Sequence, residues 1–281
     1  MIGRFYIDDM DCSAVFGLSI AEGSFAQVVS WPSLKDVEAT DWHEENGTEP
    51  DLDAPALDGR EFSIRFVGST QHDKVDKFVR LWRTEVYHTL RLNIGRSYKL
   101  RLTGSGKPRW VNGLCILDMR FADDFPLNGY VYARPASAIA QSSDYILDGR
   151  RLTDYGVIVL EGAHDELLQM PKVKDNLITS FAAHNGINYD GEGAVTYGAY
   201  EAQLTCLMRA ESLDELWANY DALLYDLVRP GGRKLTAMAL GTIYTCHYVS
   251  SRVRRFFPEG KIWLEFDISL NVYEAPVKKH L

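Results

Sequence analysis

From Glu61 to Val67 the chain alternates strictly, with Phe62, Ile64 and Phe66 apolar against Glu61, Ser63 and Arg65, the pattern of a half-buried strand. The same period of two returns from Glu201 to Leu207. After each of these strands the apolar spacing changes to three and four. Val75, Phe78, Val79, Trp82 and Val86 predict a helix after Ser69-Thr70, and Leu213, Leu216, Trp217, Tyr220, Leu223, Leu224 and Leu227 predict a second. Ser212 and Glu215 have capping-box spacing, and Pro230-Gly231-Gly232 stops that helix. Both stripes read as core packing against a sheet rather than as a ligand site. Three further strands close each half: Thr89 to Ile94, Tyr98 to Thr103 and Trp110 to Phe121, then Lys234 to Ala239, Thr242 to Val249 and Lys261 to Tyr273.

The segments before these strands are shorter and less regular. Phe5-Tyr6-Ile7 is extended, and Val15 to Ala21 alternates loosely around Gly17. Val28 to Trp31 reads as extended up to Pro32, which cannot donate to a ladder and so marks an edge or a strand end. Asn46-Gly47 and Asn185-Gly186 predict type I′ turns in two long hairpins, whose returning arms are irregular because they are rich in Asp, Pro and Gly. Each half therefore reads β-β-(hairpin)-β-α-β-β-β. A single helix allows few crossovers, so the strands are expected to be antiparallel.

That shared order has a counterpart in residue identity. Sliding the chain by 139 positions lays Tyr6 to Asp51 on Tyr145 to Asp190 without a gap, and 13 of 46 positions are identical. Ordinary composition gives roughly three. The repeat-defining turn and candidate subunit-interface positions are Gly17, Gly23, Pro32, Lys35, Trp42, Asn46 and Gly47, with Gly156, Gly162, Pro171, Lys174, Phe181, Asn185 and Gly186. The expected organisation is two tandem duplicated antiparallel β-sandwich or split-barrel domains, 1–122 and 144–281, each with one flanking helix. Residues 123–143 form a linker or strap between them.

Composition narrows the function classes. A hydrophobic content of 46% supports real cores in both halves, and a net charge of −9 argues against a general phosphate-backbone binder. No signal peptide and no run of eighteen apolar residues is visible. Cys12, Cys115, Cys206 and Cys246 form no CxxC pair and read as buried free thiols. Eight acids crowd Asp36 to Asp53, but Asp51-Leu52-Asp53 lacks the further ligands of a Ca²⁺ loop, so a solvated acidic loop is the reading. The seven histidines fall in no HxxxH or HExxH spacing, and no serine sits in GxSxG. No catalytic, cofactor-binding or metal-binding residue is assigned. Arginines near Lys99 and Arg252 read as a polar sheet face or a subunit contact.

The repeat resembles the ring-forming domains of phage tail proteins, particularly the distal tail family and its tail-tube relatives. The features are Tyr145-Ile146-Leu147-Asp148-Gly149, then Asp154-Tyr155-Gly156-Val157, then the hairpin ending at Asn185-Gly186 with Asp190 beyond it. In the first half Asp8-Asp9 and Phe16-Gly17-Leu18 stand in their places. The resemblance implies a structural component of a tail tip or baseplate, with no enzymatic activity and no cofactor. It implies self-association into a ring, as a trimer with pseudo-sixfold symmetry or a hexamer. Tail-tube and baseplate proteins would be neighbours, DNA would pass through without specific binding, and nothing would insert into a membrane. The location implied is a virion tail assembled in bacterial cytoplasm. One departure is that both halves look tube-like, as in baseplate hubs of contractile tails. The rival reading is a two-domain carbohydrate- or surface-binding module, with Trp31, Trp42 and Trp110 exposed to stack on sugar rings.

Overall fold

The computed structural model describes residues 3–175, 178–189 and 195–278. β1 (Phe5–Ile7) and β2 (Met10–Asp11) turn about Asp8 and Asp9, both at positive φ. Asp11 then caps α1 (Cys12–Phe16) by accepting the Ala14 N–H, and Gly17, at φ 70°, ends it. β3 (Leu18–Ile20), α2 (Phe25–Val29) and the short pair β4 (Ala39–Thr40) and β5 (Glu49–Pro50) follow. β6 (Arg60–Gly68), α3 (His72–Leu81), β7 (His88–Leu92), β8 (Arg96–Ser105), β9 (Arg109–Val111) and β10 (Leu114–Asp123) complete the first half.

The second half contains β11 (Tyr145–Leu147), β12 (Arg150–Arg151), β13 (Val157–Val159), α4 (Ala163–Leu168), β14 (Ile178–Thr179) and β15 (Asn188–Tyr189). After them come β16 (Tyr200–Ala210), α5 (Leu213–Leu227), β17 (Arg233–Ala237), β18 (Thr242–Phe257), β19 (Ile262–Val272) and β20 (Val277–Lys278). The fold is β-rich, with two antiparallel eight-stranded sheets. The first runs β2-β1-β7-β8-β10-β6-β3 with β9 beside β10, and the second runs β12-β11-β17-β18-β19-β16-β13 with β20 beside β18. The two paths are the same, strand for strand. Each sheet wraps an aromatic and aliphatic core. In the first, Phe66 lies 5.1 Å from Phe5 and 4.9 Å from Phe78. Both cores belong to one continuous apolar cluster. All four cysteines are buried free thiols, and burial pushes the Cys246 thiol up to about 12.

The structure corrects several sequence expectations. The gap-free offset of 139 fails in the opening strand. Ile7 pairs with Leu90 where Leu147 pairs with Leu235, and the carboxylate of Asp8 accepts the Thr89 N–H where that of Asp148 accepts the Lys234 N–H. The local offset is therefore 140, which keeps Phe5 and Ile7, like Tyr145 and Leu147, on the core face. A slip of one would have turned both pairs outward. Val28 and Val29 are helical rather than extended, because Phe25, Val28 and Val29 share one buried face of α2. Pro32 follows a helix end, not a strand. α1, α2 and α4 also break the expectation of one helix per half. α3 stops at Leu81, and Val86 is exposed.

The turns differ too. Asn46 and Asn185 are not at positive φ, although Gly47 and Gly186 are, so neither hairpin tip is type I′. That geometry instead occurs at Asn112-Gly113, between β9 and β10, inside what the sequence reads as one strand. Gly23 lies in a 3₁₀ turn, whereas its repeat partner Gly162, at φ 94°, precedes α4. Asp190 lies outside the described residues.

Gly47 and Gly186 share a conformation but not surroundings. A Cβ on Gly47 would overlap the Tyr273 carbonyl, whereas one on Gly186 would meet nothing within 4 Å. Gly47→Ala is therefore expected to cost the left-handed penalty of about 1–2 kcal/mol plus a clash of similar size. Gly186→Ala in the monomer costs the first contribution alone. Thermal unfolding of the two variants checks this, with Gly47→Ala melting several degrees lower.

Candidate functional site: the seam between the two sheets

One flank of the junction between the halves is a single stretch of the first, α2 through the β4–β5 hairpin. α2 packs on β6 of its own sheet and on β18 of the other. Beyond its end, the Trp31 ring stacks on Tyr220 of α5 with centroids 4.3 Å apart, and meets Phe266 and Tyr248 edge-on. The Tyr220 hydroxyl donates to the Val29 carbonyl at 3.1 Å and the Tyr248 hydroxyl donates to the Pro32 carbonyl at 2.6 Å. Burial holds both phenols neutral, with pKa above the ordinary tyrosine value. The Leu34 N–H donates to the Val249 carbonyl at 2.8 Å, and the Val253 N–H donates to Ser30 Oγ at 2.9 Å.

The hairpin tip is held as firmly. The Gly47 N–H donates to the Tyr197 carbonyl at 2.6 Å, and the Tyr197 N–H donates to Asn46 Oδ1 at 2.9 Å. The Thr48 N–H donates to the Tyr273 carbonyl, and Thr196 Oγ1 donates to the His43 carbonyl at 2.7 Å. Lys174, only 7% exposed, sends its ammonium to the carbonyls of Trp42 and Gly47 and to the Asp41 carboxylate. All three of its donors are thereby satisfied, which is what makes a buried ammonium tolerable.

α5 forms the other flank. Trp217 Nε1 donates to the Ile94 carbonyl at 2.6 Å, and Arg96 makes a two-pronged pair with Asp221. Burial opposes the Arg96 charge, but Tyr98 and Asp221 outweigh it and leave the pKa above its ordinary value. The stretch 123–143 runs along the same helix. Asn219 exchanges two hydrogen bonds with the Ala136 backbone, and Tyr132 donates to Asp226. It acts as a strap, and α5 is buried around most of its circumference because it serves its own sheet, the first half and the strap.

The predicted positions divide clearly. Pro32, Asn46, Gly47 and Lys174 meet in the seam. Trp42, half exposed, donates from Nε1 to Glu49 beside it. Lys35, Phe181, Asn185 and Gly186 are exposed. Gly17 and Gly156 end helical turns, Gly156 beside Ser137 of the strap. The three tryptophans proposed for sugar stacking do not form a platform: Trp31 is buried and Trp110 lies half-buried against His72. Sequence reasoning missed Tyr220, Tyr248 and Trp217 as seam residues, since an apolar stripe does not say which sheet it faces. All eight acids between Asp36 and Asp53 are exposed. Among the described residues no three His, Cys, Asp or Glu side chains converge as a metal site, and no helix is long and apolar enough to cross a membrane.

A scan against protein-family models finds no match, and no curated protein matches. Among solved structures the chain is similar to the SPP1 Dit protein, described as a paradigm of the hub adsorption apparatus in phages infecting Gram-positive bacteria. Identity is 16% and the TM-score 0.32, over 45% of this chain and 48% of that one. The match thus spans about half the length of each.

Two measurements probe the seam. His247 is buried beside Tyr273, and burial lowers its pKa below the ordinary 6.5. A histidine kept neutral by the fold binds its proton more readily once unfolded. Stability contributed this way is full above 6.5 and lost as pH falls from there through the lower folded value. Chemical denaturation at a series of pH values should show that loss, and His247→Gln should flatten it. Lys174→Ala should speed amide exchange at Gly47 and Thr48 by at least about tenfold while leaving β16–β19 protected. Equal exchange in both proteins would contradict the clamp.

Proposed function

We propose that this chain is a structural, ring-forming component of a phage or prophage tail tip or baseplate, surrounding the channel where the tail tube meets the tip. The observation that carries this reading is the head-to-tail seam. Two sheets of identical strand order are joined by an arm of the first half and a receiving surface of the second. A contact between like units that uses two different surfaces leaves one of each unused, and repetition closes a ring or continues as a filament. The tandem arrangement, read as an internal duplication, supplies two ring positions per chain. Three chains would then give six positions, and six chains twelve.

The role is mechanical, so no catalytic group or cofactor is assigned. Tail-tube and baseplate proteins would stack on the ring faces, and DNA would pass without a specific site. A chain of net charge −9 with an exposed acidic hairpin suits passage without adhesion to phosphates. The virion tail is the proposed location. The binding-module alternative loses one of its three tryptophans, since Trp31 is buried.

Light scattering across a concentration series, with negative-stain images of the largest species, tests the reading. The expected result is a mass three or six times that of the chain and particles with a central hole. A monomer at every concentration, also absent from purified tails, would contradict it.

A further inference from the structure

The seam inside one chain is a template for a contact between chains. Under the offset of 139, the arm that the first half lays on the second has a counterpart in the second half, and that counterpart is uncovered. Val29 is 1% exposed and its counterpart Leu168 is 53% exposed. Trp31 is 5% exposed and Met170 is 81% exposed. Gly47 is buried against Tyr273, whereas Gly186 lies in open space. Ile187 and Phe181 are exposed as well.

The lysine of the repeat shows the opposite asymmetry, which identifies the receiving side. Lys174 belongs to the surface that accepts the first hairpin, and it is buried against the Trp42 and Gly47 carbonyls. Lys35, its identical partner, is exposed and has no side-chain hydrogen bond or ion pair among the described residues. The backbone around the two lysines matches: the Lys35 N–H donates to the Ala56 carbonyl where that of Lys174 donates to the Thr196 carbonyl, beside the isolated bridges Leu34–Leu57 and Val173–Tyr197. One half presents an unused arm and the other an unused clamp.

Resting on the ring reading above, we propose that the occupant of the exposed arm of the second half is the first half of another copy of this chain. Met170 and Val173 lie along the next copy's β8, near Leu102, as Trp31 and Leu34 lie along β18 near Tyr248. Lys35 of that copy donates to the carbonyls of Phe181 and Gly186. The chemistry differs from the internal seam in two respects. Met170 replaces an indole and Leu102 replaces a phenol, so the contact between chains is smaller and flexible, suited to reversible assembly. Ser180 stands where Asp41 does in the first half, so the second lysine gains carbonyl acceptors but no ion pair, and the contact should survive added salt.

The test uses the full chain in sedimentation equilibrium, with two variants and one cross-link. Met170→Asp places a charge in the contact and should weaken self-association by at least about tenfold, with the circular dichroism spectrum and melting temperature of the monomer unchanged. Lys35→Ala should weaken it less. A double variant, Ala56→Cys with Ala182→Cys, occupies the positions equivalent to Thr196 and His43, which are in hydrogen-bond contact within the chain. Oxidation should give a ladder of covalent oligomers on a denaturing gel. Assembly that is unchanged in both point variants, with no ladder, would overturn this contact and leave the ring to another surface. A chain that neither assembles nor cross-links at any concentration would overturn the contact and the ring reading together.

Discussion

The stacking of Trp31 on Tyr220 is the contact on which the rest of this structure depends. An indole buried to 5% exposure fixes the end of α2 in a pocket formed by the other half's helix and sheet. Truncating such a side chain in a packed core removes about 3–5 kcal/mol. Because Trp31 is followed by Pro32, the chain must leave the stack in one direction. The hairpin therefore travels over β18 toward Tyr197 and Tyr273, whose carbonyls accept the Gly47 and Thr48 N–H groups while the Tyr197 N–H donates to Asn46. The halves are thus joined by an apolar anchor at one end and a polar clamp at the other.

This arrangement explains why the core is continuous although the sheets are separate. A five-residue helix has too little surface and too few hydrogen bonds to be stable by itself. α2 persists because both β6 and β18 pack against it. α5 is likewise shared, and its buried polar residues have partners: Asn219 bonds the Ala136 backbone of the strap, and Asp226 accepts from Tyr132 of the strap and from Tyr155 and pairs with Arg150 and Arg229. α4, by contrast, packs on β16 and leaves Leu168 exposed.

Much of the fold is legible because burial on one face leaves a period in the sequence. That period places β6, β16 and α5, and Ser212 does accept the Glu215 N–H as its spacing implies. The opening register is not legible: Tyr6 and Tyr145 are identical but occupy opposite faces, and the pairing of Ile7 with Leu90 shows it. α2 escapes a sequence reading because a few apolar or small residues before a proline fit a strand end as well as a helical turn. The seam itself is half legible. The repeat marks Lys35 and Lys174 as equivalent, but nothing in two identical residues says that one is buried and the other waits on the surface. Tyr220 and Tyr248 are hidden in ordinary core patterns, since their hydroxyl partners lie 191 and 216 residues away in the chain.

One geometric claim is central: the contact between halves within the chain is repeated between chains. A cryo-electron microscopy reconstruction of the assembled particle tests it most directly. The prediction is a ring in which first and second units alternate, with Lys35 of each copy at the hairpin tip of its neighbour and Met170 buried. A ring or dimer joined first unit to first unit, with Met170 still facing solvent, would contradict it.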